Sequence, residues 1–493
     1  MLYSIIHGGA AVHNQREGFM MGYLETLLRA LRPAFTREAT FAWFVVALAG
    51  VVTRQEVHGV SSIVRALSLA PVYYPALLHF FHSTAWTAEG LYRHWEDWLI
   101  RQPVVESEAG RVVLLGDHTK HPKDGRRMPG VATLHQDSET SSKPSFFRGH
   151  HWGCLSLLGQ AHGKRFALPL WAEIHHDDPS GPPDGLVQTD SRATRLVNVA
   201  GQIGLRWGQP ILLVLDAFFS VGPVFATAAS FHGALHILTR AKKNVVAYRQ
   251  PPSPRPHQKG RPRVYGRKLK LMKLFDTRPQ DFLSSEAVAY RKKETVRYLV
   301  LDLLWKLVKG LVRFVLIETS RGRIILMSSD LTIDPLSALS LYTARIHIES
   351  LFASVKNLLG GLAYRFWSKY LAPVSRRPRR GSQPAPVSSR PDRTANTRAA
   401  MEKFMALHLV VLGALQLMAA LFGEAVRHQA RCWLRTPGGA VPSDFVSRTA
   451  LANLLLANIR GLAKHPIIAF IRRRQIPPEK TPEKVLARKR TAA

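Results

Sequence analysis

Cysteine is scarce in this chain. Cys154 and Cys432 are the two in 493 residues, too few for a disulfide framework or an all-thiolate zinc site. A reducing, intracellular setting fits that usage. Acidic side chains are scarce too, with 34 Asp and Glu against 68 Lys and Arg, a formal net charge of +34. A soluble chain this basic meets a polyanion, and nucleic acid is the commonest one. Charge alone leaves open a binder with no chemistry of its own. Several motifs are absent. Without Gly-x4-Gly-Lys-Ser/Thr no nucleotide hydrolysis is implied, and without His-Glu-x2-His or Pro-Cys-x2-Cys neither a zinc peptidase nor a base deaminase is indicated.

Long apolar runs are also few. Met1 to Gly9 lacks a basic segment ahead of a long apolar stretch, so no secretory signal is expected. Phe41 to Val52 is too short to span a bilayer. Phe404 to Phe422 is nearer the right length, but it carries His408 and Gln416 and lies between basic segments. It reads as a buried core helix, and no membrane partner is expected.

What is present falls into a pattern. Residues 1–105 read as helical: Val60 to Leu67, Tyr74 to Phe81, and a helix opened by Thr87 as N-cap. Short basic helices of this kind suit DNA docking and equally suit a plain helical bundle. The period then changes. Arg111-Val-Val-Leu-Leu-Gly-Asp117 is a short apolar run ending in an acid. His151 to Gly159 and Arg165 to Ile174 flank a hairpin turn. A helix over Ser191 to Trp207 leads to Ile211-Leu-Leu-Val-Leu-Asp216, a second buried strand ending in an acid, and then to a helix and a strand at Ala234 to Thr239. Three strands in hairpin order followed by alternating helix and strand predict a mixed α/β sheet covered by helices, an order similar to a ribonuclease H-like core.

The organisation expected is a helical, DNA-binding N-terminal region (1–105), a first part of the α/β core (106–245) and a basic loop with a β-strand-rich insertion (246–320). A second part of the core (321–372), a basic linker (373–400) and a helical C-terminal region with a basic tail (401–493) complete the chain. No internal repeat is evident.

Asp117 and Asp216 both sit at the carboxyl ends of buried strands, where open α/β sheets gather their ligands. A strand-terminal Asp is also a good turn former. The stretch Leu341 to Leu359 reads as one helix. With Tyr342 as zero and 100° per residue, Arg345, Glu349 and Lys356 fall at about 300°, 340° and 320°. The four polar side chains share one sector beside an apolar stripe that includes Ile348, Leu351 and Val355. Ordinary solvated Arg–Glu and Glu–Lys pairs would also have this spacing, but they leave Tyr342 in the row unexplained.

Tyr342-x2-Arg345-x3-Glu349-x6-Lys356 resembles the Tyr-Arg-Glu-Lys signature of the DDE transposases of a large group of bacterial insertion sequences. Gly116-Asp117-His-Thr-Lys, Val214-Leu-Asp216 and Ser328-Ser-Asp-Leu are similar to that group's surroundings. The resemblance covers about residues 105–372. It implies a DNA transposase that cuts insertion-sequence ends and transfers them into target DNA by a cut-and-paste route, with Asp117, Asp216 and Glu349 as catalytic metal ligands; a catalytically decayed or domesticated DNA-binding descendant and a ribonuclease H-like nuclease are the alternative readings. Two Mg²⁺ ions, about 3.5–4 Å apart and replaceable by Mn²⁺, would stabilise the attacking and leaving oxygens together. It implies backbone contacts by Tyr342, Arg345 and Lys356, and a homodimer on DNA. The basic residues near Asp117 (Lys120, Lys123, Arg126 and Arg127) read as a DNA-contacting loop. Trp305 is a candidate for stacking a flipped base, with a core tryptophan as the ordinary alternative. His118 is a possible general base. Asp124, Asp178, Asp302 and Asp330 are competing acids, Asp330 foremost because it lies just before the signature. The expected location is cytoplasmic and nucleoid-associated.

Overall fold

The computed structural model describes residues 20–136, 145–175, 191–253, 260–289, 292–375, 386–434, 439–461 and 466–477. Residues 1–9, Asp178, parts of the basic loop and of the linker, and the Lys/Arg-rich tail lie outside the described residues.

The sheet grows outward from its most apolar strands. In β2 (Arg111–Pro122), a short strand β1 (Ser107–Glu108) pairs at the amino end, and Val112 to Leu115 are buried. Farther along come β3 (Ala132–His135), β4 (Phe146–Ala161), β5 (Lys164–His175), β6 (Ile211–Leu215) and β7 (Leu235–Arg240). All five side chains of β6 are fully buried, as expected of a strand covered on both faces. β6 runs parallel to β2 and to β7, β4 runs antiparallel to β2, and β5 runs antiparallel to β4, giving the order β5-β4-β2-β6-β7. The β4–β5 turn places His162 and Gly163 at φ 49° and 73°, the left-handed pair that a tight hairpin requires.

The strands of 246–320 do not fold apart from this core. β8 (Val246–Tyr248), β9 (Lys268–Lys270), β10 (Leu283–Ala289), β11 (Lys292–Trp305) and β12 (Gly310–Thr319) join the same sheet through β13 (Gly322–Ser328). β13 pairs antiparallel with β7 over Leu326↔Arg240 to Ser328↔Leu238. Thirteen strands of the described residues thus form one mixed sheet.

The helices are α1 (residues 20–31), α2 (Glu38–Thr53), α3 (Ser61–Ala66), α4 (Tyr74–His82), α5 (Ala88–Leu99), α6 (Arg192–Trp207) and α7 (Gly222–Ala229). After the short α8 (Leu274–Thr277) come α9 (Pro335–Ala344), α10 (Ile346–Ala353), α11 (Pro391–Leu421), α12 (Gly423–Ala430), α13 (Asp444–Gly461) and α14 (Pro466–Arg472). α6 starts at the Ser191 hydroxyl, which accepts from Thr194 N at 3.3 Å, and stops at Gly208 with φ 61°. It covers the sheet face on which Gly116 lies, since a side chain at Gly116 would strike Leu196 of α6. Neighbouring residues of a strand point to opposite faces. Asp117 therefore points to the other face, where Arg345, at the junction of α9 and α10, meets it.

The terminal helices form one body. α11 packs against α2, α4, α5 and α13 and lies along β5. It is the one helix of the described residues long and apolar enough to cross a membrane, and 94% of its apolar window is buried inside this fold. It begins at Pro391, so the end of the expected linker is helical; proline suits a first turn, where its missing N–H has no partner to lose. The body is pinned to the sheet by polar contacts on β5: the Trp95 indole donates to the Pro169 carbonyl at 2.7 Å and the Tyr92 hydroxyl to that of Ala172 at 3.2 Å. A register shift between β4 and β5 at Leu155/Ser156, opposite Pro169, leaves that carbonyl to the indole.

Candidate active site

Three carboxylates from three distant stretches meet at one end of the sheet. The parallel pairing of β2 with β6 ends at Leu115↔Val214. Asp117 follows two residues later on β2, which continues along β4 to Pro122 rather than stopping at the acid. Asp216 follows β6 directly and caps a 3-10 turn over Ala217–Phe219, its Oδ1 accepting from Phe218 N at 3.0 Å. Its own carbonyl accepts from the Thr239 hydroxyl on β7 at 2.5 Å. Glu349 comes from α10 on the face that Asp117 occupies.

Arg345 stands among the three acids. Its Nη1 donates to Asp117 Oδ2 at 2.8 Å and its Nη2 to Glu349 Oε1 at 3.1 Å. Asp117 also accepts from His118 N at 2.7 Å. Burial raises the Asp117 carboxyl to about 6; Arg345 opposes that rise, and the charge of Asp216 adds to it. Burial raises Asp216 as well, again against Arg345. For Arg345, burial works against the charge, but Asp117, Tyr342, Asp216 and Glu349 outweigh it and raise the guanidinium.

Among the described residues no group of three His, Cys, Asp or Glu side chains is ready to hold a metal ion. The cation that bridges the acids is the Arg345 guanidinium. The donor chemistry nevertheless fits a hard divalent ion. Three carboxylates share this one guanidinium, a surplus of negative charge, and Glu349 is half-exposed and able to turn.

The signature segment is not one uniform helix. α9 is capped by Asp334, whose Oδ2 accepts from Leu336 N and Ser337 N at 3.0 and 2.8 Å. At Arg345 the ladder tightens to a three-residue step, Arg345 N to Tyr342 O at 3.2 Å, and Ser354–Leu359 loosens into a π-helix. Lys356 lies within the π-helical turn and stays on the side of the sheet where Cys154 pairs with Asp117. Its ammonium lies 3.5 Å from the Lys120 carbonyl, and burial lowers its pKa. Tyr342 is half-buried, packed against the core and close enough to Arg345 to act on its charge.

The other expected contacts divide. Lys120 donates to the His135 carbonyl at 2.9 Å on an exposed edge. Arg126 is exposed and Arg127 half-buried, its Nη1 donating to the Lys369 carbonyl at 2.6 Å. Lys123 is not a surface contact. It is buried, its amine bonds the carbonyls of Leu362 and Tyr364, and it sits 3.6 Å from the Tyr364 ring centroid. Burial brings its pKa down to about 7. Trp305 is likewise no exposed stacking platform: it is buried and packs edge-on against Phe225 at 5.3 Å. His118 is half-buried on the α6 side, opposite Asp117. It packs among His151, His175, Phe218 and Phe219, with its pKa lowered to about 3 by burial. Asp330 lies at the other end of the sheet, buried against Arg111 at 3.1 Å. Asp302 pairs with Arg313 through both oxygens at 2.8 Å.

Sequence reasoning missed the clamp on the end of the signature segment. Arg448 of α13 donates to the Leu358 carbonyl at 2.8 Å and to Val52 O at 3.2 Å. Arg54, buried just after α2, bonds the Leu359 carbonyl and approaches His408 Nε2 of α11 at 2.7 Å. Two arginines almost 400 residues apart in the chain carry no local signal for such a role. The segment ends at Gly360, φ 69°, where a side chain would collide with the Val57 carbonyl.

Fold and site together define an α/β protein with a carboxylate cluster at the carboxyl ends of its parallel strands. The family model for the DDE superfamily endonucleases matches residues 30–299, more than half of the chain. The chain belongs to that family. The match includes Asp117 and Asp216 and ends before Glu349. No curated protein matches. Among solved structures, the piggyBac transposase synaptic complex with hairpin DNA aligns over 92% of this chain and 81% of its own, at 11% identity and a TM-score of 0.33. The NurA nuclease from Sulfolobus solfataricus aligns over 50% and 77%, at 8% identity and a TM-score of 0.21. Scores this low carry no weight for fold or function.

Proposed function

We propose that this DDE-family endonuclease is a DNA transposase that cuts the ends of its own element and joins them to target DNA. The observation that carries the reading is the meeting of Asp117, Asp216 and Glu349 around Arg345. The order β5-β4-β2-β6-β7, with β4 and β5 antiparallel to their neighbours, supports a ribonuclease H-like core.

Asp117, Asp216 and Glu349 are the groups that would hold divalent metal, Mg²⁺ or Mn²⁺. When bound, a metal pair lowers the pKa of the attacking water or hydroxyl and stabilises the leaving oxygen. The chain's own residues do the rest. Asp117 and Asp216 are set on adjoining strands, so their separation is fixed by the sheet, while Glu349 is carried by a helix clamped at its far end by Arg54 and Arg448. Arg345 holds the carboxylates together before the ligands arrive. It then has two N–H edges free to grip a phosphate in the forked manner guanidinium favours. Lys356 and Lys120 add positive charge along the same edge. The net charge of +34 supplies attraction for DNA along its length. Joining two ends calls for two copies on DNA, and work on chromosomal DNA places the protein at the nucleoid.

The test uses labelled duplexes made from the DNA flanking the coding sequence, with Mg²⁺ or Mn²⁺, and compares the native chain with Glu349→Ala. Metal-dependent nicking at a fixed position that vanishes in the variant, with DNA binding retained, is the expected result. Equal cleavage by both would sink the assignment of Glu349.

A further inference from the structure

Beyond the acid site, the segment that leaves the signature helix is built as an outward-facing ridge. From Gly360 the chain runs extended beside the loop that follows β2. Tyr364 O accepts from Lys123 at 3.3 Å, Ser368 N donates to Arg127 O at 2.9 Å, and Val374 N donates to Arg126 O at 2.9 Å. Residues 387–389 close the other side, with Ser389 N to Tyr370 O at 2.9 Å and Ala372 N to Val387 O at 3.0 Å. Side chains alternate along it: Tyr364, Phe366 and Ser368 are buried, while Arg365, Trp367 and Lys369 are exposed. The buried set is locked, the Tyr364 and Phe366 rings lying within 9° of parallel. Trp367, 64% exposed, is therefore held outward by a braced backbone and not by looseness.

A single exposed apolar side chain is ordinary. An indole between two cations on a rigid ridge is less so. Beside it lie Arg126, Arg127 and Arg390, the last stacked over Tyr370 at 5.9 Å. Two acids stand against these cations: Asp124 on the loop and Asp392, which Arg390 and Arg393 already engage. An apolar partner would want an apolar rim, whereas this surface offers positive charge around one flat ring. Phosphates and the face of a base are the chemistry that fits. β2 leads from Asp117 to this loop, and six residues at about 3.3 Å each place Lys123 roughly 20 Å from the acid site.

We propose that Arg365, Trp367 and Lys369, with Arg126 and Arg127, form a second DNA-binding site that grips the strand beyond the far end of β2, away from the cut. Arg365 and Lys369 hold backbone phosphates, and Trp367 stacks on an unpaired base. The inference rests on the reading of the chain as a DNA-cutting enzyme.

The test is fluorescence anisotropy of a labelled duplex, blunt or with a short unpaired tail, over a series of salt concentrations. Arg365→Ala with Lys369→Ala is expected to weaken binding about tenfold or more and to lower the salt slope by about two. Trp367→Ala is expected to cost roughly tenfold on the tailed duplex and little on the blunt one, with Trp367→Phe restoring most of the loss. All three side chains are exposed, so the melting temperature should hold in each variant. An unchanged affinity and slope in the double variant overturns the site, and equal losses on both duplexes for Trp367→Ala overturn the stacking. Ridge-dependent binding without cleavage supports the ridge and sinks the nuclease reading. Cleavage with ridge-independent binding does the reverse, and no DNA binding at all sinks both.

Discussion

The two ends of the central sheet each hold an aspartate against an arginine, and they do different things with the pair. At the amino ends Asp330 meets Arg111 one to one, nearly sealed from solvent, with Thr332 N and the Thr332 hydroxyl donating to Oδ1 at 2.9 and 2.7 Å. Its charge is balanced and its first oxygen saturated. At the carboxyl ends Asp117, Asp216 and Glu349 share Arg345, and the Glu349 side chain is 51% exposed. There the charge is unbalanced and one ligand can move. The difference teaches that an aspartate near a signature helix is not marked as functional by its neighbours in the chain. What marks it is an unmet demand for positive charge that solvent and substrate can reach.

Changes at the open end should abolish chemistry, and changes at the closed end should cost stability. Asp117→Asn keeps the shape but removes a ligand charge, and metal-dependent cleavage of a labelled duplex is expected to fall by about a thousandfold or more. Asp330→Asn should leave the rate per folded molecule near native in the same assay. Comparable losses in both variants would erase the distinction between the ends.

For Asp330→Asn the expected loss lies in unfolding free energy, about 2 kcal/mol by denaturant titration, because it leaves the half-buried Arg111 without its carboxylate and with the Thr332 hydroxyl as its remaining contact. A neutral outcome would mean that the closed pair is not structural.

The next effect is one of pH. Burial holds the folded-state pKa of Asp117 at about 6 against an ordinary 3.8. Between those values the folded protein binds more protons than the unfolded chain, so this group makes stability fall as pH rises from about 4 to 6. The drop is on the order of 2–3 kcal/mol. Unfolding curves in a chelating buffer should fall more steeply over that range in the native chain than in Asp117→Asn, where the slope left is that of the other raised carboxyls, Asp216 and Glu402 among them.

The smallest expected effect concerns DNA alone. Lys120→Ala, on the exposed edge of β2, should weaken binding several-fold on any sequence and reduce the salt slope by about one. Lys123→Ala should leave the slope unchanged, since that amine is committed to Leu362 and Tyr364.

Much of this was legible in residue order. Strand-length apolar runs ending at Asp117 and Asp216 reflect burial on both faces, which a chain can signal only with consecutive apolar residues. Thr87 and Ser191 announce helix starts because their side chains satisfy N–H groups within three residues, whereas the start of α9 at Pro335, capped by Asp334 and six residues ahead of the expected Leu341, was not read. The pairing of Arg345 with Glu349 follows from helical spacing. The alternation of Arg365, Trp367 and Lys369 was also written there, but an exposed period of two looks the same in any loop.

Residue order thus settled the local elements and the charge and singled out the three acids as candidates, because each depends on neighbours within a turn or a strand. It could not settle which basic residues face solvent. Lys123 and Arg126 look alike in sequence, and the passage of residues 362–364 over one of them makes the difference. Nor could it place Asp330 at the far end of the sheet, since that follows from β13 running antiparallel to β7. The hold of Arg54 and Arg448 on the signature segment likewise exists because helices from both ends of the chain pack into one body. Contacts between remote segments depend on where the whole chain folds back, and no short window of sequence carries that information.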